Sequence, residues 1–270
     1  MTSQLHLLLL AVIQGIGEFL PISSSGHLLL ANEVWKRAGG EPLTNLLGAE
    51  IVLHGGTLLS ILVVYRRRIV GLLAEDRRMI GLLLLGTLPA VIVGLPLHEV
   101  SVLKEWLQNS FLAGCLLPCT GLLLLWSGRR PEGLTEYRQI TPRQAWLIGM
   151  AQALAILPGI SRSGATIVAG LGLGLRRDAA ASFSFLLAIP AILGAVVLEA
   201  KDFALVGASM NEIVPLLGAA GVSFAVGIVA LALLLRWLRQ GRLQPMAWWC
   251  IVVGSAFIAW RLAGTPWPGS

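Results

Sequence analysis

Residues 14–27 read Gln-Gly-Ile-Gly-Glu-Phe-Leu-Pro-Ile-Ser-Ser-Ser-Gly-His, and residues 158–166 read Pro-Gly-Ile-Ser-Arg-Ser-Gly-Ala-Thr. Each stretch interrupts apolar sequence long enough to lie in a bilayer. Together they hold groups that hydrocarbon rejects: a carboxylate, an imidazole, a guanidinium and clustered hydroxyls. Ionisable groups at that depth are costly, so they face a protein interior or a wet cavity and mark function. Backbone broken by Pro, Gly and Ser is tolerated there only where protein or water meets the freed polar groups.

Working outward, the composition is that of a polytopic membrane protein. The mean hydropathy is +0.80, and only 13% of the 270 residues are charged. Apolar runs at Met79–Leu97, Phe111–Trp126, Ile213–Leu235 and Met246–Trp260 approach the roughly 20 residues of a spanning helix. The run Leu5–Ile13 is too short to span and has neither a basic leader nor a small-residue cleavage site, so it is not read as a cleaved signal. Cys115, Cys119 and Cys250 lie in apolar runs without metal-binding spacing and read as small apolar residues.

The expected fold is all-α, a single integral membrane domain over 1–270. Six transmembrane helices are expected at about 44–65, 79–97, 111–127, 181–199, 213–236 and 245–262. Two re-entrant helix hairpins are expected at about 5–35 and 143–175. A formal charge of +6 could suggest nucleic acid, but topology accounts for it better and no nucleic-acid partner is expected. The connections at 66–78, 128–143, 175–178 and 236–242 hold fourteen Lys/Arg. The opposite connections and termini hold five: Lys36, Arg37, Lys104, Lys201 and Arg261. The positive-inside rule puts the first group in the cytoplasm. Residues 5–35 then enter and leave from outside, and residues 143–175 from inside.

That opposition predicts an inverted-topology repeat with halves of approximately 1–130 and 131–270. A shift of 138 residues lays Ile22-Ser23-Ser24-Ser25-Gly26 on Ile160-Ser161-Arg162-Ser163-Gly164, and Gln14 on Gln152. Inverted repeats place broken helices and a binding site at the repeat interface.

The residues suggest what that site binds. Pro21 is expected to end the helix carrying Gln14 and Glu18, which share a face at i, i+4 and can offer oxygen to a hard cation. Ser23, Ser24 and Ser25 can cap a following helix, whose free N–H groups and positive dipole end suit phosphate. His27 lies in its first turn. Pro158-Gly159 and Ser161-Arg162-Ser163 repeat this logic. Arg162 can grip phosphate through paired hydrogen bonds, and Thr166 adds a hydroxyl. Each part has a plainer reading: a serine triplet is first of all a cap, an intramembrane histidine a satisfied polar group, and Glu18 with Arg162 a structural ion pair. Glu50 and His54, another i, i+4 pair, read equally as ligand, supporting partner or solvated interface residues.

These motifs resemble those of the membrane-embedded undecaprenyl-diphosphate phosphatases of the bacitracin-resistance type. Gln14-x-x-x-Glu18 through His27 is similar to that family's first motif, and Pro158 to Thr166 to its second. Phe183-Ser-Phe-Leu-Leu-Ala-Ile-Pro190 is similar too, and the resemblance extends over nearly the whole chain. It implies hydrolysis of a C55 isoprenyl diphosphate at the outer (periplasmic) side of the bacterial inner (cytoplasmic) membrane, an inverted-repeat fold and a divalent cation. By position, Glu18, Ser24, His27 and Arg162 match the family's principal functional residues. Gln14 matches the first site of a Glu/Gln-x-x-x-Glu pattern, as its neutral choice, and His54 stands where Gln is expected.

From these readings, Glu18 with Gln14 is expected to hold Mg²⁺ or Ca²⁺. Ser24 is the preferred nucleophile, with His27 as base or acid and a metal-positioned water as its rival. Ser23, Ser25, Ser161, Ser163 and Thr166 are expected to bind the polyprenyl diphosphate lipid. Membrane lipids are the other expected partners, and a homodimer stays open. The runner-up function is a polyprenyl-phosphate transporter or flippase.

Overall fold

The computed structural model describes residues 2–41, 43, 46–204 and 210–264. Among these residues there is no strand, only an isolated bridge between Thr135 and Leu175. The described helices are α1 (Thr2–Gly17), α2 (Ser24–Arg37), α3 (Leu46–Val64), α4 (Arg66–Glu75), α5 (Arg77–Glu99), α6 (Ser101–Leu107), α7 (Ser110–Gly128), α8 (Pro142–Leu154), α9 (Arg162–Gly172), α10 (Arg177–Ala204), α11 (Met210–Arg239) and α12 (Gln244–Leu262).

Five of the described helices are long and apolar enough to cross a membrane: those containing Arg77–Leu97, Ser110–Gly128, Arg177–Leu198, Ile213–Arg239 and Gln244–Leu262. The span expected at 44–65 begins at residues 44 and 45, which lie outside the described residues. Its apolar stretch, Ala49–Val64, is shorter. The basic connection 66–78 is largely helical rather than a loop: α4 buries Leu72 and turns Arg66 and Arg67 outward. Apolar run length missed it because only one side of so short a helix is buried.

Local chemistry fixes the helix starts. Asp76 caps α5 by accepting from Met79 N at 3.2 Å. Asn109 caps α7, accepting from Phe111 N and Leu112 N. Thr141 and Gln144 form a reciprocal capping box at α8, with Pro142 at its first turn. Prolines inside α5, α7, α10 and α11 suit helices whose freed carbonyls are screened by neighbours rather than water.

Packing pairs the helices in a repeating way. Helix α1 lies on α11 and α8 lies on α5, while α3 meets α10 and α7 meets α12. The α5–α8 contact is close because both sides are glycine: a Cβ on Gly149 would stand 2.1 Å from the Gly86 carbonyl oxygen. The central core gathers Phe19, Ile61, Met79, Phe183, Phe185 and Leu187, with the Phe19 and Phe185 rings 5.9 Å apart. Leu84, Leu88, Ile92, Leu122, Val229 and Val252 are exposed on the periphery, where an aqueous solvent would disfavour them and lipid would not.

Candidate active site

Helix α1 ends at Gly17, four residues before the proline expected to stop it, yet Glu18 N still donates to Gln14 O at 2.9 Å. The extra helical turn keeps Gln14 and Glu18 on one face. Gln14 Nε2 donates to Glu18 Oε2 at 3.0 Å, and Ser24 Oγ donates to the same oxygen at 2.8 Å. From the other half of the chain, Arg162 Nη2 donates to Glu18 Oε1 at 2.7 Å. His54 Nε2 lies 3.9 Å from Glu18 Oε2. Glu18 is only 6% exposed, so four residues from three segments surround one buried carboxylate.

Two helix starts frame this carboxylate in matching ways. Ser23 caps α2, accepting from Gly26 N at 3.3 Å, with Ser25 Oγ 3.4 Å from its own Oγ. Ser161 caps α9, accepting from Gly164 N at 3.1 Å, with Ser163 Oγ 3.2 Å away. The shift of 138 residues maps one set onto the other. It also maps their contacts. A Cβ on Gly26 would stand 3.0 Å from Gly159 Cα, and one on Gly164 would stand 3.2 Å from Pro21 Cβ. Residues 26 and 21 become 164 and 159 under the shift, so the two contacts exchange places.

Ser23 is the one non-glycine among the described residues with positive φ, at 70°. Such a backbone costs about 1–3 kcal/mol and persists where its surroundings over-determine it. Here the cap bond to Gly26 and a hydrogen bond at Ser23 O do so. The latter comes from His27, whose Nδ1 is 2.9 Å away. Trp249 Nε1 donates to His27 Nε2 at 2.9 Å. An indole N–H only donates, so Nε2 accepts and Nδ1 carries the proton.

The cavity beside Glu18 has a volume of about 290 Å³. Gly17, Glu18, Ser23, Ser24, Ser25, His54, Arg162 and Ser163 form its polar side, and Ala155, Ile156, Ile160, Ala191, Ile192 and Ala195 its apolar side. His27 is not among the lining residues; the imidazole on the cavity is His54. Glu50 is not among them either, but its backbone carbonyl meets His54 Nδ1 at 2.9 Å. Ser161 and Thr166 stand behind the wall. Thr166 Oγ1 donates to Arg162 O at 2.8 Å and lies 2.5 Å from Ser184 Oγ. Thr120, which sequence reading did not single out, bridges the second break: its Oγ1 donates to Gly159 O at 2.7 Å and accepts from Ser161 N at 3.1 Å. The only sequence signal was a hydroxyl in an otherwise apolar run.

Among the described residues no group of three or more His, Cys, Asp or Glu could hold a metal ion. The donors at Glu18 are therefore one carboxylate and neutral oxygens. One of these, Gln14 Oε1, is buried without a hydrogen-bond partner, which an ordinary core amide avoids. Such a set fits a hard cation that takes its remaining ligands from phosphate and water.

Apolar helices surrounding a buried, charged cavity define a multi-pass membrane protein with a polar site inside the bundle. The chain belongs to the bacitracin resistance protein BacA family, whose model matches residues 7–256. It is 49% identical over 255 residues to a protein of Rhodopirellula baltica, covering 94% of this chain and 96% of that one. It is 41% identical over 266 residues to a protein of Desulfosudis oleivorans, covering 91% and 94%. A protein of Geobacter sulfurreducens is 36% identical over 274 residues, covering 96% and 98%. All three relatives are named undecaprenyl-diphosphatase.

Proposed function

We infer that this chain hydrolyses undecaprenyl diphosphate to undecaprenyl monophosphate and inorganic phosphate, returning a lipid carrier to cell-wall synthesis. The observation that carries the reading at the level of residues is the convergence of Arg162, Ser24 and the buried Gln14 on Glu18, which lines one cavity together with Ser24 and Arg162. Its volume of about 290 Å³ equals that of roughly ten waters, enough for a diphosphate head group.

Arg162 and the first N–H groups of α2 and α9 bind the phosphoryl oxygens and stabilise charge that grows on them during transfer. Ser24 Oγ attacks the terminal phosphorus, and the bridging P–O bond breaks to release the lipid monophosphate. The proton leaving Ser24 has an acceptor in place at Glu18 Oε2. Water then hydrolyses the phosphoserine. His54 Nε2 faces Glu18 Oε2 across 3.9 Å. His27 acts through the backbone, holding Ser23 in its strained conformation. Glu18 and Gln14 Oε1 would hold Mg²⁺ or Ca²⁺, which when bound supplies charge neutralisation on the diphosphate.

The same reading assigns six spans, with α3 as the sixth, and two re-entrant hairpins, α1–α2 and α8–α9, in an inverted repeat. The exchange of the Gly26–Gly159 and Gly164–Pro21 contacts supports it. So does the packing of α1 on α11 and of α8 on α5. The bundle sits in the bacterial inner membrane, and the cavity opens to the periplasmic side. Phosphate release from purified protein given C55 diphosphate tests the activity. Absence of release across a range of detergents and divalent cations would refute it.

A further inference from the structure

Helices α3 and α10 run past Glu18 to a second cavity. On α3, His54 faces the first cavity and Tyr65, just after the helix, lines the second. On α10, Ile192 lines the first and Ser182 the second. At the rise of a helix these separations amount to roughly 15 Å. The second cavity has a volume of about 240 Å³.

Its chemistry is that of an anion site. Arg68, Arg177 and Arg239 line it with one carboxylate, Asp178, and Asp178 is already paired with Arg176 at 3.3 Å. Arg177 has a partner in Glu132 at 3.6 Å. Among the described residues, no carboxylate lies within ion-pair distance of Arg68 or Arg239. Arg68 is nevertheless held in place: its guanidinium donates to Ser182 Oγ and lies 4.3 Å over the Tyr137 ring. Tyr65 is 6% exposed, and its buried hydroxyl stands beside Ser182 and Arg68 without a well-formed hydrogen bond. Buried polar groups are normally fully hydrogen-bonded, and an oxyanion in this cavity would give this hydroxyl a full partner.

A wider cavity of about 470 Å³ adjoins it and shares Arg68 and Asp178. There the arginines are balanced by Glu75, Asp76, Glu136 and Asp178, so it offers an aqueous approach and no net attraction for an anion. The smaller cavity differs also in its wall, to which Val64, Leu235 and Leu238 add apolar surface. Its volume equals roughly eight waters, enough for one phosphate and the first carbons of a chain.

We propose that this cavity is a second site, away from Glu18 along α3 and α10, which binds a phosphate group through Arg68, Arg239, Tyr65 and Ser182. The phosphate comes either from a lipid head group, whose chain follows the apolar wall, or from free phosphate. The proposal goes beyond the hydrolytic reading and does not depend on it.

The test uses the full chain in phosphatidylcholine nanodiscs, titrated calorimetrically with farnesyl monophosphate and with inorganic phosphate. Arg162→Ala removes the guanidinium of the first cavity. The expected result is saturable binding that persists in Arg162→Ala and weakens on the order of tenfold or more when Arg68→Gln or Arg239→Gln is added. If Arg162→Ala does not fold, the same loss reads as a fall from two bound equivalents to one in protein with Arg162 intact. Thermal melting checks that each arginine variant is folded. Competition by inorganic phosphate at similar concentration identifies free phosphate as the ligand, and weak competition identifies the lipid. Binding of neither probe outside the first cavity, or binding unchanged in both arginine variants, overturns the proposal.

Discussion

Arg162 Nη2 donates to Glu18 Oε1 across 2.7 Å, joining positions 144 residues apart in the chain. The pair ties the start of α9 to the turn after α1. Removing one member of such a buried pair strands the other, at a cost of about 3–5 kcal/mol. Replacements at this site are therefore read only in protein verified as folded.

Ser24 separates two routes to hydrolysis. If its Oγ attacks, Ser24→Ala removes nearly all turnover, and a phosphoserine accumulates in the parent on rapid quenching with labelled substrate. If water attacks, the variant loses only a charge-assisted hydrogen bond, about 1.5–3 kcal/mol. The expected outcome is the first. Substantial turnover in Ser24→Ala, with no trapped phosphoenzyme in the parent, would remove Ser24 from the nucleophile's role.

Chelation is expected to abolish phosphate release, and Mg²⁺ or Ca²⁺ to restore it. The set of one carboxylate and the unpartnered Gln14 Oε1 contains no thiolate or multi-histidine cage to retain a metal against a chelator. Gln14→Leu should raise the cation concentration needed for half-maximal rate. Full turnover after exhaustive chelation would dismiss the cation.

Two glycines should answer very differently to alanine. A Cβ on Gly159 would stand 2.4 Å from the Ala113 carbonyl oxygen, at a φ of 93°. Gly218 lies on α11, and a Cβ there meets nothing within 4 Å. Gly159→Ala is expected to lower stability by at least about 2 kcal/mol and to reduce turnover. Gly218→Ala should be neutral or stabilising. Thermal melting with an activity assay checks both, and equal effects would contradict the close packing of Gly159 on α7.

The site was legible in the sequence where its order is local. Gln14 and Glu18 meet because they are four residues apart, and Ser23 and Ser161 cap because each stands before a helix. The direction of His27 was not legible, since Trp249 sets it from 222 positions away. His54 was undecided because its spacing from Glu50 suggested a side-chain pair, whereas it meets the Glu50 backbone carbonyl. Thr120 joins the second break through tertiary contacts that no spacing announces. For the fold, apolar run lengths marked the long helices but not α4, which buries Leu72 alone.

The proposed topology has its own check. In a background lacking Cys115, Cys119 and Cys250, single cysteines at Arg67, Gln108 and Gln240 should divide by membrane side. Gln108 is expected to react with an impermeant maleimide from outside, and Arg67 and Gln240 only after permeabilisation. Labelling of Arg67 from outside would overturn the orientation and the inverted repeat with it.

Phosphate release from C55 diphosphate by the parent protein, Glu18→Gln and Arg162→Ala, each verified as folded by thermal melting, tests the central claim most directly. The parent should turn over, and each variant should lose on the order of 100- to 1000-fold, the usual worth of a group that stabilises transition-state charge. Near-parental release by either folded variant would contradict the assignment of the reaction to this carboxylate and guanidinium.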